Sequence, residues 1–411
     1  MIRRFHRVTW LILFALASLT QAQTFRKVYS FCAEAGCTDG STPYAGLLPT
    51  SSGLWGTTYL GGSNNGGTVF RVDEKGKLTT VYSFCSQSNC ADGSGPYAGL
   101  LGSSSPYFYG TTELGGAEGV GTLFKVTIEG AITVFHSFGS GDGFSPYAGL
   151  VRAANKEFYG TTGGNEKGGP NISGTVFKTD ADGRLTTLHQ FCSEPNCSDG
   201  ANPWGTLVEG EDGNFYGTTA AGGAHICKTR GPEKIGCGTV FKITPQGKLT
   251  TLYNFCSRGG LSCSDGVSPL AGLIEASDGS FYGTTSTGGT KAFGTIFRIT
   301  ATGKLTTVHS FQGTDGANPY GGLIQASDGY FYGTTTSGGA NDRGAIFRLS
   351  SSGAVTRLYS FCSRANCADG SLPHAPLVQA ADGVFYGTTS AGGENNSGTV
   401  FSLSMAGGTR R

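Results

Sequence analysis

The sequence predicts an all-β protein, a seven-bladed β-propeller built from four-stranded antiparallel blades. One unit occurs seven times along the chain, and each copy contains four short apolar segments separated by turn residues. Glycine accounts for 70 of the 411 residues, well above the usual share of about 7%. Evenly spread glycine beside 11% aromatic residues is typical of many short strands joined by tight turns, and it argues against disorder.

Three short strings define the repeat, whose copies lie 50 to 66 residues apart. The string [WY]-G-T-T begins at Trp55, Tyr109, Tyr159, Tyr216, Tyr282, Tyr332 and Tyr386. The string G-[TA]-[VLI]-F begins at Gly67, Gly121, Gly174, Gly238, Gly294, Gly344 and Gly398. A phenylalanine ends a further strand at Phe31, Phe84, Phe138, Phe191, Phe255, Phe311 and Phe361.

Each copy predicts four strands, as the unit 92–138 illustrates. Its segments YAGLLGSS, YFYGTTEL, GTLFKVT and AITVFHSF read as strands one to four. Asp-Gly lies between strands one and two in several copies, and a turn with glycine lies between strands three and four. Four such strands form one propeller blade. We interpret the shared residues as blade packing, with the glycine of Y-G-T-T permitting close approach of neighbouring sheets.

The two ends of the repeat region predict how the ring closes. Residues 25–31 match a fourth strand, whereas the last copy stops after its third strand at 398–404. We therefore expect these two segments to pair. Residues 23–404 then form a single propeller, followed by a short C-terminal tail, 405–411.

The N-terminus predicts export. Residues 1–22 carry three arginines, a short apolar run over 8–19 and a small-residue cleavage site at 20–22, which together are typical of a signal peptide. The apolar run is too short to cross a bilayer of about 30 Å, and no cysteine follows it until Cys32. We expect a periplasmic or secreted protein with no membrane span after signal removal.

Charge excludes several classes of partner. Without residues 1–22, the chain has 26 basic side chains (29 less three arginines) against 28 acidic ones. No basic stripe suggests nucleic-acid binding or attachment to an anionic membrane. We expect no nucleic-acid partner, no cofactor and a monomer.

The motifs DG-x-x-P-Y-A-G-L, D-G-x-F-Y-G-T-T, G-G and G-T-V-F-K resemble the Gloeo/Verruco (GloVer) tandem repeats of exported bacterial proteins. The resemblance covers residues 25–404. It implies a bacterial extracytoplasmic propeller, in a family that sometimes carries a separate C-terminal anchor, which we do not find in this sequence. It implies no established reaction, so no catalytic residue is transferred from it.

Loop lengths indicate which face binds. In a propeller blade, the crossing into the next blade shares a face with the loop between strands two and three. The length variation falls on this face, in the loop 220–238 and in the enlarged crossing 255–266. Because binding sites usually lie on loops that a rigid scaffold positions, this face is the candidate binding face.

The twelve cysteines fall on the same face as six close pairs. The pairs are Cys32/Cys37, Cys85/Cys90, Cys192/Cys197, Cys227/Cys237, Cys256/Cys263 and Cys362/Cys367. Blades three and six lose both cysteines of the crossing together, as disulfides in an oxidising compartment predict. A structural zinc site needs about four ligands, and each loop offers two. We predict six disulfides and no metal, with metal binding or free thiols as the alternatives.

One position per repeat is the candidate ligand contact. It follows a proline and begins the predicted strand one, and it is occupied by Tyr44, Tyr97, Tyr147, Trp204, Tyr320 and His374. Leu270 stands in the remaining copy. Because strand one lines the channel of a propeller, the pattern predicts a mostly aromatic ring near the channel mouth, suited to sugar rings. Packing between blades is the alternative interpretation.

Titratable residues offer no catalytic motif. His136, His189 and His309 replace a tyrosine of the fourth strand, which indicates a structural role, whereas His225 lies in the long loop and could bind a metal. The repeated Asp-Gly acids are interpreted as turn caps, with cation binding as the alternative. They are Asp39, Asp92, Asp142, Asp199, Asp265, Asp315 and Asp369.

These patterns favour a non-catalytic binding or scaffold propeller that recognises a glycan or an extracellular protein on its disulfide-stiffened face. Two alternatives stay open. One is a secreted carbohydrate-active enzyme, a lyase or hydrolase with acids at the channel mouth. The other is a cell-surface structural repeat protein.

Overall fold

A computed structural model describes residues 23–102, 106–164, 173–227, 236–258 and 263–405. These residues form seven four-stranded antiparallel sheets arranged as the blades of a ring, which confirms the predicted seven-bladed β-propeller. The predicted signal peptide and residues 406–411 of the predicted tail lie outside the described residues. Within the described ranges, no helix is long and apolar enough to cross a membrane.

The first three blades are formed by strands β2 to β13. Their bounds are β2 (Leu48–Thr50), β3 (Gly53–Thr58), β4 (Thr68–Val72), β5 (Leu78–Ser83), β6 (Leu101–Gly102), β7 (Tyr107–Thr112), β8 (Thr122–Thr127), β9 (Ile132–Ser137), β10 (Val151–Arg152), β11 (Phe158–Thr162), β12 (Thr175–Thr179) and β13 (Leu185–Gln190). Short 3-10 helices lie in four crossings, at Ala35–Cys37, Ser88–Cys90, Pro195–Cys197 and Ala365–Cys367.

Blades four to seven follow the same order. Their strands are β14 (Val208–Glu209), β15 (Phe215–Thr219), β16 (Thr239–Ile243), β17 (Leu249–Asn254), β18 (Ile274–Glu275), β19 (Phe281–Thr285), β20 (Thr295–Ile299), β21 (Leu305–Ser310), β22 (Ile324–Gln325), β23 (Phe331–Thr335), β24 (Ala345–Leu349), β25 (Val355–Ser360), β26 (Val378–Gln379), β27 (Phe385–Thr389) and β28 (Thr399–Met405). The fourth strand of blade seven is β1 (Gln23–Ser30).

Ring closure is as predicted. Strand β1 pairs antiparallel with β28 from Gln23 opposite Met405 to Ser30 opposite Thr399. The ring of Phe25 stacks on Tyr359 of blade six with a centroid distance of 3.8 Å. The N-terminal strand therefore joins the last blade to its neighbour as well as completing it.

The innermost strand of each blade is shorter than predicted. The expected strand YAGLLGSS contains only β6, because the preceding carbonyl groups bond to the adjacent blade. Thr57 Oγ1 of blade one donates to the Ala98 carbonyl oxygen at 3.0 Å, and the equivalent bond joins Thr388 to Ala45 across the closure. The candidate aromatic residues therefore precede strand one; the prediction that they begin it is wrong.

The apolar core is divided into seven clusters, one between each pair of neighbouring blades. The phenylalanine of G-[TA]-[VLI]-F is fully buried in every blade, at Phe70, Phe124, Phe177, Phe241, Phe297, Phe347 and Phe401. Burial of each such ring contributes about 2 kcal/mol, so the repeated motif supplies the cohesion between blades.

The glycine of Y-G-T-T makes room inside its own blade. Gly56 pairs with Phe70 across the ladder, and a Cβ on Gly56 would lie 2.5 Å from the Phe70 ring and 2.9 Å from Leu47. The expectation that this glycine allows neighbouring sheets to approach is therefore corrected. Its missing side chain leaves space for the core phenylalanine on the partner strand.

Six disulfides join the predicted pairs, Cys32–Cys37, Cys85–Cys90, Cys192–Cys197, Cys227–Cys237, Cys256–Cys263 and Cys362–Cys367. Such bonds are typical of proteins in an oxidising compartment. Five of them close small rings within blade crossings. The chain-entropy estimate for each is roughly 2 kcal/mol, so each stiffens its own loop.

Candidate functional site

Two contacts position each candidate residue at the inner end of a crossing. Pro96, which precedes Tyr97, packs against Gly67 of blade one, where an added Cβ would lie 2.7 Å from the proline Cδ. The carbonyl group of Ala98, which follows Tyr97, accepts the Thr57 hydroxyl. The proline–glycine contact recurs in every blade. Tyr97 is therefore held by both neighbouring residues of the backbone. The threonine bond recurs in the other blades except at Trp204, where the equivalent Thr161 hydroxyl has no partner among the described residues.

The six predicted ligand contacts come together as one continuous arc. Ring centroids of successive members lie between 4.8 and 5.5 Å apart. In order, the arc comprises Tyr320, His374, Tyr44, Tyr97, Tyr147 and Trp204. We call this set the aromatic arc. Its members lie up to 330 residues apart in sequence, so the closed ring of blades brings them together.

A cavity of about 170 Å³ lies against the arc, lined by Tyr97, Tyr147, Trp204, Leu270, Tyr320 and His374. Tyr44 is not among the lining residues; its ring stacks on Tyr97 at 4.8 Å. Leu270, which the predicted set leaves out, completes the lining between Trp204 and Tyr320. The single aliphatic side chain interrupts the aromatic contacts at this blade.

Two polar atoms in the lining have no partner. Trp204 Nε1 and His374 Nδ1 are buried and form no hydrogen bond within the described ranges. Burial lowers the pKa of His374 to about 4, so its imidazole is neutral at neutral pH. Burial also raises the pKa of Tyr97 to about 12. The cavity therefore presents an uncharged, largely aromatic wall.

Two further residues, Tyr59 of blade one and Glu113 of blade two, support the arc. Tyr147 Oη donates to Glu113 Oε1 at 2.8 Å, and Tyr59 packs edge-on against Tyr44 at 5.6 Å. Burial, together with Glu113, raises the pKa of Tyr59. Neither Tyr59 nor Glu113 was predicted as a site residue. The signal was their shared position after G-T-T, which is occupied by small residues in the other copies, namely Gly163, Ala220, Ser286, Thr336 and Ser390.

The repeated Asp-Gly acids bond within the crossings. Asp39 accepts hydrogen bonds from the Ala33 backbone N–H at 2.9 Å and from Tyr29 Oη at 2.8 Å. A histidine takes the place of that tyrosine in three blades, where His136, His189 and His309 contact Asp142, Asp199 and Asp315. These contacts are those of loop caps and account for the exchange of tyrosine with histidine.

Histidine 374 leads to a pH-dependent prediction. Its pKa of about 4 in the folded protein lies below its ordinary value of 6.5, so the unfolded chain takes up this proton first as the pH falls. The resulting stabilisation is present above pH 6.5 and declines towards pH 4, by up to about 3 kcal/mol. Urea unfolding at pH 7 and pH 4.5 should show this loss in the wild type and a smaller loss in His374→Tyr, which carries the tyrosine of other blades. Equal losses in both proteins would contradict the prediction.

Several solved structures are similar to this chain at low sequence identity. Puromycin hydrolase is 12% identical, with 85% of this chain and 50% of that chain covered and a TM-score of 0.52. A putative gluconolactonase is 12% identical over 93% of this chain and 92% of its own, with a TM-score of 0.43. The periplasmic gluconolactonase of Pseudomonas aeruginosa is 16% identical over 77% and 84%, also with a TM-score of 0.43. At 12% identity, the similarity to puromycin hydrolase shows the fold alone.

Comparison with curated proteins finds no match. The Gloeobacter/Verrucomicrobia repeat, in contrast, matches this sequence over residues 13–229 and 227–411. Those two ranges include all seven blades and confirm the family resemblance of the motifs. The chain therefore belongs to the Gloeobacter/Verrucomicrobia repeat family.

Proposed function

We propose that this propeller binds a neutral, ring-shaped ligand, the terminal sugar of a glycan, in the cavity against the aromatic arc. The observation that carries the proposal is the lining itself: a mostly aromatic wall without an acidic or basic side chain. Ligand sites are commonly apolar concavities with a few placed polar groups.

The cavity volume favours a single ring. An apolar protein cavity of about 150 Å³ holds benzene, and this cavity measures about 170 Å³. Aromatic side chains offer flat apolar faces, on which the C–H face of a pyranose can stack. Recognition is therefore expected at a chain end, with one sugar inserted.

Charge favours a neutral sugar over an acidic one. None of the six lining residues is an aspartate, glutamate, lysine or arginine, and His374 is neutral above its pKa of about 4. An anionic sugar buried here would lose hydration without gaining a cationic partner.

The surroundings suit an exported binding protein. Four of the six arc residues, Tyr44, Tyr97, Trp204 and His374, follow a disulfide-bridged loop in the same crossing. These loops therefore stiffen part of the approach to the cavity. Disulfides are consistent with the proposed periplasmic or secreted location. The enzyme alternative needs convergent acids, as in glycoside hydrolysis by two carboxylates. Glu113 supplies one carboxylate beside the arc, which is fewer than the two that this reaction uses. We therefore favour binding over catalysis.

Glycan-array binding of the mature protein, followed by calorimetry, tests the proposal. We expect neutral glycans to bind and Trp204→Ala to weaken binding at least about tenfold, since an aromatic contact contributes about 1.5 kcal/mol. Tyr330→Ala is the matched control, because Tyr330 packs with Arg348 in the turn between strands one and two of blade six. It should bind like the wild type.

Three results would overturn the proposal: no glycan bound on the array, preference for acidic glycans, or wild-type affinity in Trp204→Ala. Binding to an extracellular protein without any glycan would instead support the protein-recognition alternative. Turnover of a glycan that is abolished by Glu113→Gln would establish the enzyme alternative.

A further inference from the structure

Four cysteine side chains from two loops converge at the junction of blades four and five. The sulfur atoms of Cys227, Cys237, Cys256 and Cys263 all lie within 4.8 Å of one another. Their exposed fractions are 7%, 0%, 9% and 7%. Cys227 and Cys237 belong to the loop between strands two and three of blade four, whereas the other two belong to the next crossing. Each loop contributes two cysteines, but the junction of the two loops brings four sulfur atoms together.

The repeat explains why the two loops meet. Cys237 directly precedes the G-T-V-F string of blade four, at the position of Gly66 in blade one. A Cβ on Gly66 would lie 2.7 Å from the Cβ of Cys85, the first cysteine of the following crossing. Cys256 is the equivalent of Cys85. A side chain at position 237 is therefore directed by the fold against the crossing that carries Cys256 and Cys263.

We propose that these four cysteines, when reduced, bind one zinc ion as a tetrahedral four-thiolate site. A Zn–S distance of about 2.3 Å requires neighbouring sulfur atoms to lie about 4 Å apart, which is compatible with the observed cluster. Thiolates favour soft ions such as zinc over calcium or magnesium. A buried set of four protein ligands is the arrangement of a structural site, which would hold the two loops together.

The zinc-bound and disulfide-bonded forms are alternative states of the same sulfur atoms. Reduction of Cys227–Cys237 and Cys256–Cys263 by a thiol or phosphine reductant consumes four electrons and four protons. Binding of Zn²⁺ then releases the four thiol protons. In the reverse direction, two molecules of a small disulfide accept the four electrons, become four thiolates and release the zinc as both protein disulfides form.

The other disulfides provide the internal control. Cys85 and Cys90 form a crossing disulfide like that of Cys256 and Cys263, but the neighbouring position in blade one is Gly66. Two sulfur atoms are too few for the four-coordinate structural site. Zinc binding should therefore depend on the blade-four pair and be independent of the Cys85–Cys90 pair.

Metal content of the full mature chain tests the proposal. After reduction with a phosphine under anaerobic conditions and addition of ZnCl₂, gel filtration and metal analysis should find one zinc per chain. Cys227→Ser/Cys237→Ser should lose this zinc, and Cys85→Ser/Cys90→Ser should retain it. Cobalt should give the absorption spectrum of a tetrahedral thiolate complex in the wild type and not in the first variant.

Cysteine mapping keeps the test decisive if reduction weakens the fold. The reduced chain is alkylated with iodoacetamide with and without zinc, and each cysteine is quantified by mass spectrometry. Zinc should protect Cys227, Cys237, Cys256 and Cys263 and leave the other eight cysteines labelled. Equal labelling of all twelve, no bound zinc, or the same zinc content in Cys227→Ser/Cys237→Ser as in the wild type would overturn the proposal.

Discussion

Deletion of residues 23–30 is expected to abolish the cooperative unfolding transition of the propeller and to leave an aggregating chain. Without β1, the long strand β28 becomes an unpaired edge, and exposed edges promote association between chains. The deletion also removes Phe25 from its stack on Tyr359 and from its contact with Phe401. The apolar cluster between blades six and seven then loses a member, and the ring has no closing pair.

A circular permutant separates ring closure from the loss of residues. A short linker joins Met405 to Gln23, which already face each other across the β1–β28 ladder, and new termini are opened at the exposed turn Ser51–Ser52. We expect this permutant to unfold with a midpoint close to that of the wild type in urea. A wild-type transition in the deletion variant would show that closure by β1 is dispensable.

Gly398→Ala is expected to destabilise the protein by more than about 4 kcal/mol, an exceptional cost for one substitution. Gly398 has a φ of +97°, and an added Cβ would lie 2.3 Å from the carbonyl oxygen of Thr389 and 2.6 Å from Pro43 Cδ. Neither contact can be relieved by a side-chain rotation, because one atom is backbone and the other belongs to a proline ring. The change therefore forces blades seven and one apart at the closure.

Gly383→Ala is the matched control in the same blade. Gly383 has a φ of +81°, and no atom lies within 4 Å of an added Cβ. Its substitution should cost only the left-handed backbone strain, about 1–2 kcal/mol. Urea unfolding followed by tryptophan fluorescence measures both variants. Equal losses would mean that backbone strain, and not the contact with Pro43, makes the glycine necessary.

The fold was predictable because the same pattern of four strands occurs in seven copies. Buried phenylalanines such as Phe401 and turn glycines recur at the same position in each copy. The last copy lacks a fourth strand and the N-terminal segment matches one, so β1 could be assigned to blade seven. The cysteine pairs were equally local, since most partners lie five residues apart. The short first strands were not predictable, because hydrogen bonds to another blade replace the ladder there.

The candidate site was predicted only in part. The position after proline identified the aromatic arc. The cavity lining, however, includes Leu270, which was not predicted, and does not include Tyr44, which was. Glu113 and Cys237 were recognisable only as departures from a repeat position. Their partners, Tyr147 and the Cys256–Cys263 pair, belong to the next blade along the chain.

The sequence by itself determined the number of blades, the order of their strands, the closing strand and the loop disulfides. Each follows from local apolar patterns and from copies that repeat them. Only the tertiary structure decided which of seven equivalent side chains face a common cavity and which two loops bring four sulfur atoms together. These features depend on contacts between residues that are distant in the chain. In such contacts, the size of one side chain determines the space that remains for the side chain of the neighbouring blade.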